Sequence, residues 1–112
     1  MMNKNEVRGR PVKSVIRQNL IEILYFLGDG YAYEIYKIYS NIFPRVTMRS
    51  VYYHLKKGVN LGIFKIKEIR KEQGQYSWGP QVEKIYYSLD KWAEPAGNLL
   101  VKDYLNQISR NS

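Results

Sequence analysis

The sequence predicts a mainly α-helical domain with a small β-hairpin (α+β), on three observations. Apolar residues recur at helical spacing in three successive segments between Ile16 and Val59. Beyond them, Phe64 and Ile66 alternate with lysines, and the same period of two returns at Ile85, Tyr87 and Leu89. The chain has 112 residues, 45% of them apolar, which suits one compact core and argues against wholesale disorder.

The elements follow in order. Residues 1–11 (MMNKNEVRGRP) are polar, basic and without periodicity, and read as a flexible arm. From about Lys13 to Leu27, the positions Ile16, Leu20, Ile23, Leu24 and Leu27 mark an amphipathic first helix, stopped by Gly28-Asp29-Gly30. Tyr31 to about Ile42 forms a second, with Ile35, Ile38 and Ile42 on one face. Pro44 breaks it by biasing Phe43 toward extended geometry. Thr47 is a natural N-cap for a third helix, whose apolar stripe is Met48, Val51, Leu55 and Val59. That helix ends near Gly62, or at Gly58.

Phe64 and Ile66 then point inward in a half-buried strand, and residues 72–81 (EQGQYSWGPQ) make a loop, with Trp78 packed beneath it. A returning strand follows. A last helix, about Pro95 to Ser109, has Pro95 in its first turn. Three helices closed by a two-stranded hairpin is winged helix-turn-helix architecture. The domain is expected over residues 12–92, and the helix within 93–112 is expected to dimerise.

Charge narrows the function. The net charge is +8 and the pI about 9.7, which implies an acidic partner, nucleic acid before an anionic membrane surface. The segment from Arg45 to Lys71 holds eight Lys/Arg against one acid, Glu68. There is no cysteine, so disulfides and thiolate chemistry are excluded. No run of about 18 apolar residues suggests a membrane span, and the polar N-terminus has no signal-peptide core. A cytoplasmic protein is the expectation. Neither a metal-ligand cluster, a Gly-rich phosphate loop nor a carboxylate pair appears in the sequence, so no enzyme activity, metal or cofactor is expected.

Three segments carry a resemblance. Gly30-Tyr31-Ala32-Tyr33-Glu34-Ile35, then Arg49-Ser50-Val51-Tyr52-Tyr53-His54-Leu55-Lys56-Lys57 and Leu61-Gly62-Ile63-Phe64, resemble the PadR-like winged-helix regulators of bacteria and archaea. The likeness covers about residues 15–90. It implies a DNA-binding transcription factor, usually a homodimer joined through helices outside the motif. This chain departs from the longer members in carrying one short helix after the wing, where they have an extended dimerisation and effector region. A small-molecule effector site is therefore without support.

In such a module the second helix of the pair enters the major groove with its N-terminal residues near base edges. Here that helix presents Arg45, Thr47, Arg49, Ser50, Tyr53 and His54 early, and Lys56 and Lys57 later, where phosphates are nearer than bases. Arg49 is the foremost base reader, since guanidinium bonds guanine bidentately. Tyr52, beside the apolar stripe, is expected in the core; for Tyr53 core and groove stay equally open. His54, the single histidine, reads as a helix-surface residue near phosphate. The wing offers Lys65, Lys67, Arg70, Lys71, Gln73 and Gln75 for backbone contacts. The arm offers Lys4, Arg8, Gly9, Arg10 and Lys13, with Arg8-Gly9-Arg10-Pro11 similar to the core of a minor-groove AT-hook. Leu99, Leu100, Tyr104, Leu105 and Ile108 form a stripe suited to a dimer interface. Two other readings stay open: an RNA-binding winged helix, and a protein–protein module of a transcription or replication complex.

Overall fold

The computed structural model describes residues 14–73 and 81–110. Its elements run α1 (Val15–Leu27), β1 (Asp29–Tyr31), α2 (Ala32–Ile42), α3 (Met48–Asn60), β2 (Phe64–Gln73), β3 (Gln81–Leu89) and α4 (Leu99–Arg110). The three expected helices, the hairpin and the final helix are all present. Their buried faces are the ones the spacing marks: Leu20, Ile23 and Leu24 on α1, Ile35 and Ile38 on α2, Val51 and Leu55 on α3.

Local chemistry fixes the helix ends. Ser14 Oγ accepts from the Arg17 N–H and starts α1, while Gly28, at φ 93°, ends it in a conformation that glycine adopts without a steric penalty. Thr47 caps α3, its hydroxyl oxygen accepting from the Ser50 N–H at 3.0 Å. Side-chain amides tie the bundle together. Asn19 donates to the Tyr39 hydroxyl between α1 and α2, and Asn41 donates to the Tyr104 hydroxyl between α2 and α4.

The sheet has three strands, not two. The segment Gly28-Asp29-Gly30, expected only to stop a helix, leads into β1, which pairs antiparallel with β3. Strand order is β1-β3-β2, so β3 is central and Tyr86, Tyr87 and Ser88 are all buried although they alternate in direction. The β2–β3 register runs from Phe64↔Leu89 to Gln73↔Gln81, broken by a bulge between Ile66 and Glu68. Ile66 shares the face of Phe64 but is 48% exposed, contrary to the expected burial, on β2, an edge strand of the sheet.

Gly58 is explained by the wing. It lies buried within α3, and the position a Cβ would take falls inside the Phe64 ring. The helix thus continues through it to Asn60, and the glycine serves close approach, not termination.

The final helix starts later than expected. Pro95 precedes it by four residues, and α4 opens at Leu99, with Asn98 Oδ1 accepting from the Leu100 N–H. What holds the intervening strap is Glu22, a buried carboxylate on α1. Its Oε2 accepts from the Ala96 N–H at 2.7 Å, and its Oε1 from those of Gly97 and Asn98 at 2.8 Å each. Gln18 donates to Glu22 Oε2 and to the Glu94 carbonyl. Burial raises the Glu22 pKa, but these four hydrogen bonds to the charged form together outweigh it, so the group sits below its ordinary value. Gly97, at φ 85°, allows the turn around the carboxylate.

Two stability predictions follow from these contacts. Gly58→Ala should destabilise the fold by about 1–3 kcal/mol through overpacking, despite the better helix propensity of alanine; chemical denaturation reads it. Glu22→Ala should cost about 3 kcal/mol, because three strap N–H groups lose their acceptor. A carboxylate with a depressed folded pKa contributes stability above its unfolded value, and that share disappears as pH falls through the folded value. Melting temperature of the native chain should therefore drop below about pH 4.5, and Glu22→Gln should flatten that part of the profile.

Candidate nucleic-acid interface

The third helix is built with two faces. Val51, Leu55 and Gly58 line the core side, with Met48 and Val59 half-buried beside them. Arg49, Tyr53, Lys56 and Lys57 are exposed on the other, and Arg45 and Thr47 are exposed just before the helix begins. Ser50 is half-buried, lining with Ile16, Arg45, Val46 and Thr47 a shallow cleft of about 300 Å³. Tyr53, for which core and groove stood open, is 58% exposed. Tyr52, expected in the core, is 51% exposed: one residue beyond Val51 it is turned about 100° away from the buried line.

His54 is only half on the surface. Its ring packs edge-on against Tyr53, and its Nδ1 lies 3.2 Å from Arg17 Nη1 of α1. A guanidinium has donors and no acceptor, so Nδ1 is the unprotonated nitrogen and the hydrogen sits on Nε2. Burial first, and the Arg17 charge second, hold the imidazole below its ordinary pKa. Arg17 was not among the residues singled out from sequence. It lies one turn before Leu20 and Ile21, on the core-facing side of α1, where the apolar pattern marks packing.

The wing divides its cations. Directly paired residues share a face, so Phe64, Ile66, Ile69 and Lys71 lie on the side of α3, with Tyr87, Ile85 and Glu83. Lys65, Glu68 and Arg70 lie on the other side with Ser88, Tyr86 and Lys84. There the Arg70 guanidinium sits 4.3 Å above the Tyr86 ring and is ion-paired to Glu68, and the Tyr86 and Tyr31 rings pack tilted with centroids 5.4 Å apart. Lys84 lies 4.6 Å over Tyr31. Lys67, at the bulge, turns back to Asp29 of β1 at 2.7 Å, and this carboxylate raises its pKa. Of the four wing cations expected to contact backbone, strand register separates Lys71 from Lys65 and Arg70, and Lys67 and Arg70 are ion-paired within the protein.

The structure separates the candidate dimer residues too. Tyr104 and Leu105 of α4 pack against the chain's own core beside fully buried Val101, while Leu99 and Leu100 are 67% and 64% exposed and Ile108 is exposed. The arm residues Lys4, Arg8, Gly9, Arg10 and Lys13, Gln75 and Trp78, and the side chain of Gln73, lie outside the described residues. Among the described residues there is no group of three or more His, Cys, Asp or Glu placed to hold a metal ion. No helix among them is long and apolar enough to cross a membrane.

The fold recurs among solved structures. Bacillus subtilis PadR, determined in complex with operator DNA, matches with a TM-score of 0.52 and 20% identity, over 82% of this chain and 47% of that one. The chain has the winged-helix fold of a PadR regulator. It spans just under half the length of that protein. A PadR family transcription regulator from Clostridium difficile is similar at a TM-score of 0.46 and 22% identity, covering 85% of this chain and 84% of that one. Pex from Synechococcus gives 0.42 and 14%, covering 82% of each. No protein-family model matches the sequence, and no curated protein matches it.

The histidine offers a direct check. As the single imidazole, it gives one ring signal in NMR, which should titrate below about 6.5, the usual histidine value. Arg17→Gln should move that titration upward.

Proposed function

We propose that this chain binds double-stranded DNA in a sequence-dependent manner, as a transcriptional regulator with α3 in the major groove. The observation that carries the reading is the two-faced α3. It is anchored by Val51, Leu55 and Gly58, and it exposes Arg49, Tyr53, Lys56 and Lys57 together on a domain of net charge +8. The fold likeness to a PadR solved on operator DNA supports the same use of the helix here. Arg49, in the first turn, reads a base; Arg45, Thr47, Ser50, Lys56 and Lys57 grip or border phosphates. Lys71 extends the grip along the wing, and the residues 1–11 add a basic arm in the adjacent minor groove.

The protein acts as a homodimer. Leu99 and Leu100 are the exposed apolar pair of α4 that supports this, with Ile108 farther along the helix. Two copies would set their recognition helices about 34 Å apart on one duplex face.

Random-site selection on duplex DNA, followed by salt titrations, tests the reading. Arg49→Ala should cost about 1–3 kcal/mol and relax preference at one position. Lys71→Ala should weaken all sequences alike and lower the salt slope by about one unit. Lys67→Ala should change the slope by clearly less, because Asp29 already neutralises that ammonium. Affinity insensitive to salt would sink the duplex-binding reading. Sedimentation of the same samples should show a dimer that Leu99→Glu/Leu100→Glu dissociates.

A further inference from the structure

We propose that Arg17 and His54 together form a backbone-phosphate site bridging α1 and α3, with a phosphodiester of the bound duplex as its ligand. This rests on the duplex-binding reading, and adds to it a residue outside the recognition helix, the turn before it, the wing and the arm.

The geometry argues for it in three steps. Arg17 lies in the first turn of α1, its backbone N–H engaged by Ser14, at the helix end where the dipole favours an anion. Its Nη1 donates to His54 Nδ1, which leaves the remaining guanidinium N–H groups and the His54 Nε2–H without a role inside that pair. The pair is therefore donor-only outward and carries a fixed positive charge, the complement of phosphate oxygens. Both residues are half-buried. A phosphate there would touch both helices and set the recognition helix relative to the bundle.

The pairing also couples binding to protons. Among the described residues, Arg17 from α1 is the charged group acting on His54, and Tyr53 on its own helix covers one side of the ring at 5.0 Å. Guanidinium groups do not deprotonate in proteins, so the imidazole is the group that changes. In the free protein, burial and the guanidinium favour the neutral ring. A phosphodiester beside it favours the cation. Complex formation then takes up a proton, and affinity rises as pH falls from about 8 to about 6.

Fluorescence anisotropy of the full chain with a labelled mixed-sequence duplex tests the site, between about 50 and 200 mM salt. Arg17→Gln should lower the salt slope by about one unit and the affinity roughly tenfold. Arg17→Lys should keep the slope while losing part of the affinity. His54→Gln should keep the slope at pH 8 and abolish the gain on acidification. The His54 ring signal of the unmodified protein should titrate higher with duplex than without, a readout that needs no variant. Salt-dependent binding by the unmodified chain, with its His54 titration unmoved by duplex and the Arg17 variants indistinguishable from it, overturns the site and leaves duplex binding standing. Salt-independent binding by the unmodified chain overturns both.

Discussion

The Phe64 ring lying on Gly58 is the contact on which the geometry of the molecule turns. Phe64 is the first residue of β2 and is fully buried, and Gly58 is the one place on the inner face of α3 that leaves room for it. The turn between them is short and closed by hydrogen bonds: Leu61 N–H to the Lys57 carbonyl, and Ile63 N–H to that of Gly58. Gly62 sits at φ 76° with the Trp92 ring against it. The far strand is tied to the same turn, since Asp90 and Trp92 donate to the carbonyls of Ile63 and Gly62. Close packing sets the angle between α3 and the hairpin, because interiors at crystal-like density do not deform continuously.

The electrostatics are divided along similar lines. Among the described residues this chain of net charge +8 keeps one carboxylate, Glu22, inside, where it faces backbone N–H groups and an amide in place of a cation. That choice ties the strap before α4 to α1 and carries the last helix onto the core through Val101. Asp29 holds Lys67 and Glu68 holds Arg70, both on strands. None of these contacts involves α3. The acids thus serve the fold, while the exposed cations of the helix stay turned to solvent.

Much of this was legible in the order of residues. The helices announced themselves because burial of one face imposes a period near 3.6 over a dozen residues, and the hairpin because it imposes a period of two. Thr47 as a cap was legible because capping is local. Three features were not. A strand of three residues, β1, shows no period and exists only because β3 lies beside it. The late start of α4 depends on Glu22, 76 residues from the Asn98 N–H it receives. Exposure of Tyr52 and Ile66 depends on which neighbouring elements cover them, which spacing alone does not report.

The sequence by itself determined the helical core with its hairpin, the net positive charge and the two-faced third helix. These depend on periodicity, composition and local capping, all written in neighbouring residues. Tertiary structure decided which cations remain available. Lys67 and Arg70 look no different from Lys71 in the sequence, and only strand register and a bulge give them Asp29, Glu68 and Tyr86 as companions. Arg17 became visible only when α1 crossed α3 at His54. A charge is set by the residue, but its freedom to act is set by what the fold places within hydrogen-bonding distance.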